Sequence, residues 1–268
     1  MEGTDKSMSR LLASFGATAA RRLQPMMSEK ETWLQWSKGA AAFAYRSAAE
    51  AANSDQGGLF RTPDDECAGV LAGKVFGLEA MLRTLPPDLP REHRLGLFLH
   101  DLYRRHGNDF PRDLDGCFVL VMAVGQRLVA ARDAIGQRTL YLLDGPDAIL
   151  IADCMSPLMV HPDCRRGLHP GAVVDYLSTG FCPFQRTPVK GIAKIPPGTT
   201  WSFDNGRSRE HRFRIQRGLH HSGNPGALGP STVWRRNPAT GFPPGHDGDG
   251  RLSAGREYAG LRFGRTGI

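Results

Sequence analysis

The sequence predicts a mixed α/β (α+β) fold built on antiparallel sheet, followed by a disordered C-terminal tail. Three observations carry this. Four strand-like runs follow in close order, Cys117 to Val124, Arg127 to Ala131, Thr139 to Leu143 and Ala148 to Ala152. Their tight, glycine-bearing connections are those of an antiparallel meander. The run CFVLVMAV is almost continuously apolar, whereas a strand with one wet face would alternate, so this sheet is covered on both sides. From Arg91 to His106, Leu95, Phe98, Leu99, Leu102 and Tyr103 recur at spacings of three and four, one face of a covering helix.

The remaining elements fall around this centre. AAAFAYR (40–46) and AGVLAGKVF (68–76) read as short strands, joined by a loop marked by Asn53, Gly57, Gly58 and Pro63. After Gly77, LEAMLRTL is a short helix stopped by Pro86 and Pro87, and Gly107 is the stop of the 91–106 helix. Helical pieces at 154–160 and 170–178 come next. An irregular stretch with Pro183, Pro188, Pro196 and Pro197 then precedes a last strand at 199–204.

The chain has 268 residues, 40% of them hydrophobic and 23% charged, which excludes a mini-protein, a collagen and a wholly disordered chain. A net charge of +7 invites a nucleic-acid partner, but +4 of it sits between Gln216 and Ile268, where seven Arg face three acids. Those Arg are scattered among Gly and Pro without a basic patch, so the tail reads as filler. Nucleic-acid binding through it is the weaker alternative, and an out-of-frame extension from about codon 215 also fits.

Five cysteines (Cys67, Cys117, Cys154, Cys164, Cys182) without a CxxC pair suggest a reducing, cytoplasmic setting. Cys154, His161, Cys164 and His169 match no common zinc spacing, so no metal site is expected. No apolar run spans a membrane. Leu11 to Ala20 has a signal-like length, yet Glu2 and Asp5 precede it, and Arg21 and Arg22 stand where a cleavage site would lie.

LDGCFVLVMAVGQRLVAARDAIGQRTLYLL (114–143) resembles the glutaminase domain of the asparagine synthetase family, whose pattern is L-x-G-x-F-x-F, a hairpin, then R-D-x-x-G-x-[KR]-x-L-[YF]. Leu114, Gly116, Phe118, Arg132, Asp133, Gly136, Arg138, Leu140 and Tyr141 match in register. ILIADCMSPLMVHP, YLSTGFCP and KGIAKIPPGTTWSF resemble three further family segments in order. The resemblance implies an N-terminal-nucleophile fold, a four-layer α/β/β/α sandwich of two antiparallel sheets. It implies a glutaminase-like domain over 8–214, with 215–268 as the tail.

In that family the nucleophile is a Cys directly after the initiator Met, with its own α-amino group as base. Here residue 2 is Glu2, and no Cys occurs before Cys67. MSRLLASFG (8–16) is similar to the family's opening M-C-G-I-x-G-I-F-G, so a start at Met8 would leave Ser9 as a hydroxyl nucleophile. Arg46 is the counterpart of the family's carboxylate clamp, a role suited to a bidentate guanidinium. The family's N-G-E triad, which orients the amide and builds the oxyanion hole, falls on Ala72-Gly73-Lys74. Only Gly73 survives, and the AGKVFG version is similar to that of divergent members such as lasso-peptide cyclases.

Loss of nucleophile and donor together implies a catalytically degraded domain with impaired glutamine binding and a scaffold or docking role. The alternative is an active amidohydrolase starting at Ser9. No S-G-G-x-D-S pyrophosphate loop follows residue 214, so ATP and magnesium would belong to a separate synthetase domain and no cofactor is expected in this chain. The implied partner is a synthetase-type subunit or a second copy of the chain, with neither membrane nor nucleic acid.

Overall fold

The computed structural model describes residues 10–28, 31–47, 57–204 and 207–213, together with the backbone of Thr232–Arg235. In chain order its elements are β1 (Arg10–Gly16), α1 (Ala19–Leu23), β2 (Leu34–Lys38), β3 (Ala41–Arg46), β4 (Gly58–Arg61), β5 (Cys67–Val75), α2 (Leu78–Leu82) and α3 (Arg91–His106). There follow β6 (Gly116–Val124), β7 (Arg127–Arg132), β8 (Tyr141–Asp144), β9 (Ala148–Ala152), α4 (Ser156–Val160), α5 (Pro170–Thr179), β10 (Ile192–Lys194), β11 (Thr199–Asp204), β12 (Arg207–Arg212) and β13 (Thr232–Arg235).

The strands form two antiparallel sheets, ordered β10-β8-β9-β1-β3-β2 and β13-β12-β11-β7-β6-β5-β4. Alternation along each strand feeds two different cores. Val119, Val121 and Ala123 of β6 meet Leu11, Ala13, Phe43 and Tyr45 of the other sheet. Phe118, Leu120 and Met122 turn outward against α2 and α3, packing with Leu78, Leu82, Leu95 and Leu99. Leu12, Ala42, Ala44 and Leu150 pack outward against α1 and α4 through Leu23 and Leu158. The result is the four-layer α/β/β/α sandwich, with β6 buried on both faces as its apolar run requires.

Helix α3 spans the predicted residues. Its N-terminal half lies tight on β4, because a Cβ at Gly96 would overlap the carbonyl group of Arg61. Each leucine that α3 buries contributes about 1.5–3 kcal/mol, so Leu95 and Leu99 anchor this layer.

Two expectations are corrected. The four runs between 116 and 152 are not one meander: β6–β7 is a hairpin of the seven-stranded sheet and β8–β9 a hairpin of the six-stranded one. The chain changes sheets in between, at a corner built by Arg132 and Asp133. Arg132, 7% exposed, donates to the carbonyls of Ile195 at 2.8 Å and Gly136 at 2.6 Å, while Asp133 accepts from the Ile135 and Gly136 amides at 3.0 and 2.7 Å. The loop expected before residue 68 contains β4, paired to β5. Within 215–268 the described backbone of β13 pairs with β12; a charged edge strand still offers its unpaired amides and carbonyls as a template.

The signal-like segment 11–20 is the central strand β1 and the start of α1. No helix among the described residues is long and apolar enough to cross a membrane.

Candidate functional site

β1 lies between β3 and β9, so the end of the sandwich where it begins gathers residues from four separate stretches. Ser9 lies outside the described residues. The first described residue, Arg10, stands where the matched family pattern has glycine, and it is paired in register with Arg46 at the end of β3. Arg46 is 11% exposed and forms an ion pair at 3.3 Å with Glu31. The expected carboxylate clamp thus already holds a carboxylate of its own chain.

On the inward side, the chain beyond β9 places Asp153 beside β1, its amide donating to the Leu11 carbonyl at 3.3 Å. The Asp153 side chain is 3% exposed and lies 3.4 Å from the Arg138 guanidinium. Its Oδ1 has no hydrogen-bond partner among the described residues. Burial pushes this carboxyl above its ordinary value, against the pull of the Leu11 backbone, Arg138 and Arg10. Arg138 comes from the corner after β7 and runs beside Gly73, whose missing Cβ would stand 3.0 Å from its Cδ.

Gly73 is held at φ +109°, and a Cβ there would overlap the Cys117 carbonyl. Its survival is therefore required by the sheet whether or not the site works. Ala72 is wholly buried in the inter-sheet core, so a methyl group occupies the position of the family's side-chain donor. Lys74 is exposed, with its ammonium 6.0 Å from the Phe76 ring.

Cys67 and Cys154 are not activated thiolates. All five cysteines are free, and burial pushes Cys67 up to about 12; burial and then Asp153 push Cys154 up to about 11. His161 and His169 accept backbone amides of Asp163 and Ala172 through Nδ1, the latter capping α5. No group of three or more metal-ligating side chains converges among the described residues.

A cleft of about 880 Å³ opens at the opposite end of the sandwich, between Phe15, Trp36, Ala123, Ile149 and Phe203. None of the expected site residues lines it. The resemblance located Arg46 and Gly73. It did not single out Asp153, Arg138 or Arg10 as members of the site, and Arg10 alone was visible in the sequence, as a charge in place of a glycine.

Layering and a central β1 agree with the four-layer N-terminal-nucleophile sandwich that the resemblance implies. Residues 96–214 match the model of a family described as a glutamine amidotransferase domain. The match is to the domain family and does not single out asparagine synthetases.

Among solved structures, 36 chains match. The allosteric regulatory enzyme of purine biosynthesis is 16% identical with a TM-score of 0.45, over 76% of this chain and 48% of that one. Glutamine phosphoribosylpyrophosphate amidotransferase from B. subtilis, complexed with ADP and GMP, is 14% identical with a TM-score of 0.47, over 76% and 49%. A glutamine aminotransferase class-II domain protein from Silicibacter pomeroyi is 10% identical with a TM-score of 0.42, over 78% and 100%. The chain spans about half the length of the first two. No curated protein matches.

Proposed function

We propose that this chain is a glutamine amidotransferase-type domain, of asparagine synthetase likeness, that has lost glutaminase chemistry and serves as a cytoplasmic scaffold for a synthetase-type subunit. The observation that carries this is the state of the amide pocket at Ala72-Gly73-Lys74. A buried methyl replaces the donor, and an exposed lysine replaces the acid. Loss of one oxyanion donor costs about 100- to 1000-fold in rate. The Glu31–Arg46 pair adds competition for the substrate carboxylate.

The alternative, an amidohydrolase starting at Ser9, draws support from Asp153, a buried carboxyl with an open acceptor beside the beginning of β1. Ammonia release from glutamine, measured for the chain started at Met8 and for its Ser9→Cys and Ser9→Ala forms, separates the two. All three are expected to stay at background. Turnover that Ser9→Ala abolishes overturns the scaffold reading.

A further inference from the structure

Away from the β1 end, α5 buries only Ala172. Val174 is 61% exposed and Leu177 78%; Phe181 and Phe184, in the loop that follows, are 60% and 85% exposed, and Leu168 before the helix and Tyr176 within it are also exposed. A helix apolar around its circumference is ordinarily buried. With side-chain areas on the order of 200 Å², these residues other than Tyr176, which lies on the other side of α5 from Val174, expose about 700 Å², against the ~300–600 Å² of the largest patch on a typical monomer. It approaches the roughly 800 Å² that each partner contributes to a standard interface.

The surface is also held ready. Asp175 pairs with Arg186 at 3.3 Å, tying α5 to the chain beyond the loop. The Thr179 hydroxyl donates to the carbonyls of Asp175 and Phe181, and the Lys194 ammonium donates to the Cys182 carbonyl. Phe184 sits at φ +58°, a conformation rare for a bulky residue, with its side chain exposed. Such preorganisation lowers the ordering cost of association.

We propose that this face joins two copies of the chain across a two-fold axis, with Val174, Leu177 and Phe181 of one copy against the same residues of the other. Charge favours a like partner: Asp175 is the one Asp, Glu, Lys or Arg between 168 and 184, and Arg186 neutralises it. Two such faces meet without repulsion, and a charged partner finds nothing to answer it. The large apolar residues of 215–268, among them Trp234, Phe242, Tyr258 and Phe263, are scattered among Gly, Pro and Arg without the helical or strand period of a segment that would cover the face. The dimer stands independently of whether glutaminase chemistry survives.

The test is the mass in solution of the full chain, by light scattering after gel filtration, from about 1 to 100 µM because dimerisation follows mass action. Twice 29.3 kDa is expected. Leu177→Glu should halve the mass with an unchanged far-ultraviolet spectrum. Phe184→Ser is the second variant should the first unfold, and Ile135→Glu, an exposed position on the sheet-crossing corner, should leave the dimer intact. A monomeric wild type overturns the proposal, as does a dimer that survives both α5-face substitutions. Dimerisation only after removal of 215–268 overturns it too, since the tail then covers the face.

Discussion

Replacing Gly73 by alanine would set a methyl group into the Cys117 carbonyl, with Phe118 Cα and Arg138 Cδ both 3.0 Å away. The colliding carbonyl belongs to a nine-residue strand pairing, Cys67–Val75 against Gly116–Val124, one pair in from its end, and as backbone it has no rotamer to escape into. Holding a non-glycine residue at φ +109° costs about 1–3 kcal/mol, and overpacking a filled site costs about another 1–3 kcal/mol. A destabilisation of about 3 kcal/mol is therefore expected. For a domain of this size that lowers Tm by about 6–12 °C. Urea unfolding followed by tryptophan fluorescence measures it, with the midpoint falling and the slope unchanged. A Gly73→Ala protein within about 0.5 kcal/mol of wild type, a change typical of exposed sites, would refute the argument that the sheet, rather than catalysis, retains this glycine.

Further tests address the buried charges. Asp153 has its carboxyl raised by burial, so the folded state binds its proton more readily than the unfolded chain, whose value is near 3.8. Its contribution is therefore greatest below that pH and is lost as pH rises through the folded value. Asp153→Asn, which keeps an acceptor for Arg138, is expected to raise the urea midpoint at pH 7, with the gain vanishing below about pH 4. Arg132→Lys leaves at most one of the corner carbonyls of Gly136, Arg138 and Ile195 with its donor. It should cost about 3–6 kcal/mol by denaturant titration, since each of the two lost bonds to a charged donor is worth about 1.5–3 kcal/mol.

The sequence was most informative where one element's own pattern determines its surroundings. The 91–106 helix shows its three-and-four spacing, and β6 shows two-sided burial, because each faces apolar neighbours along its whole length. β12, RSREHR, has no apolar pattern; it is a strand because β11 offers an edge. β10 is three residues long, and β2 is largely exposed. The partition of β7 and β8 between two sheets rests on bonds from Arg132 to a carbonyl 63 residues away, which no local window contains. At the site, Arg46 and Gly73 came from motif matching, but Glu31, Arg138 and Asp153 join them only through tertiary approach.

The place of β1 in the middle of its sheet has a consequence for synthesis. Its second neighbour, β9, ends at Ala152, and β11 and β12 complete the opposite sheet beyond residue 199. A nascent chain must therefore hold an unfinished, edge-exposed β1–β3–β2 unit until more than half of the polypeptide has been made, the regime of slow, non-local strand pairing. The stretch 96–214 begins inside α3 and lacks β1 to β5, so a fragment with those boundaries is not a folding unit. Chaperones that act at the ribosome before residue 152 emerges should matter more to the yield of this protein than any chaperone acting after release.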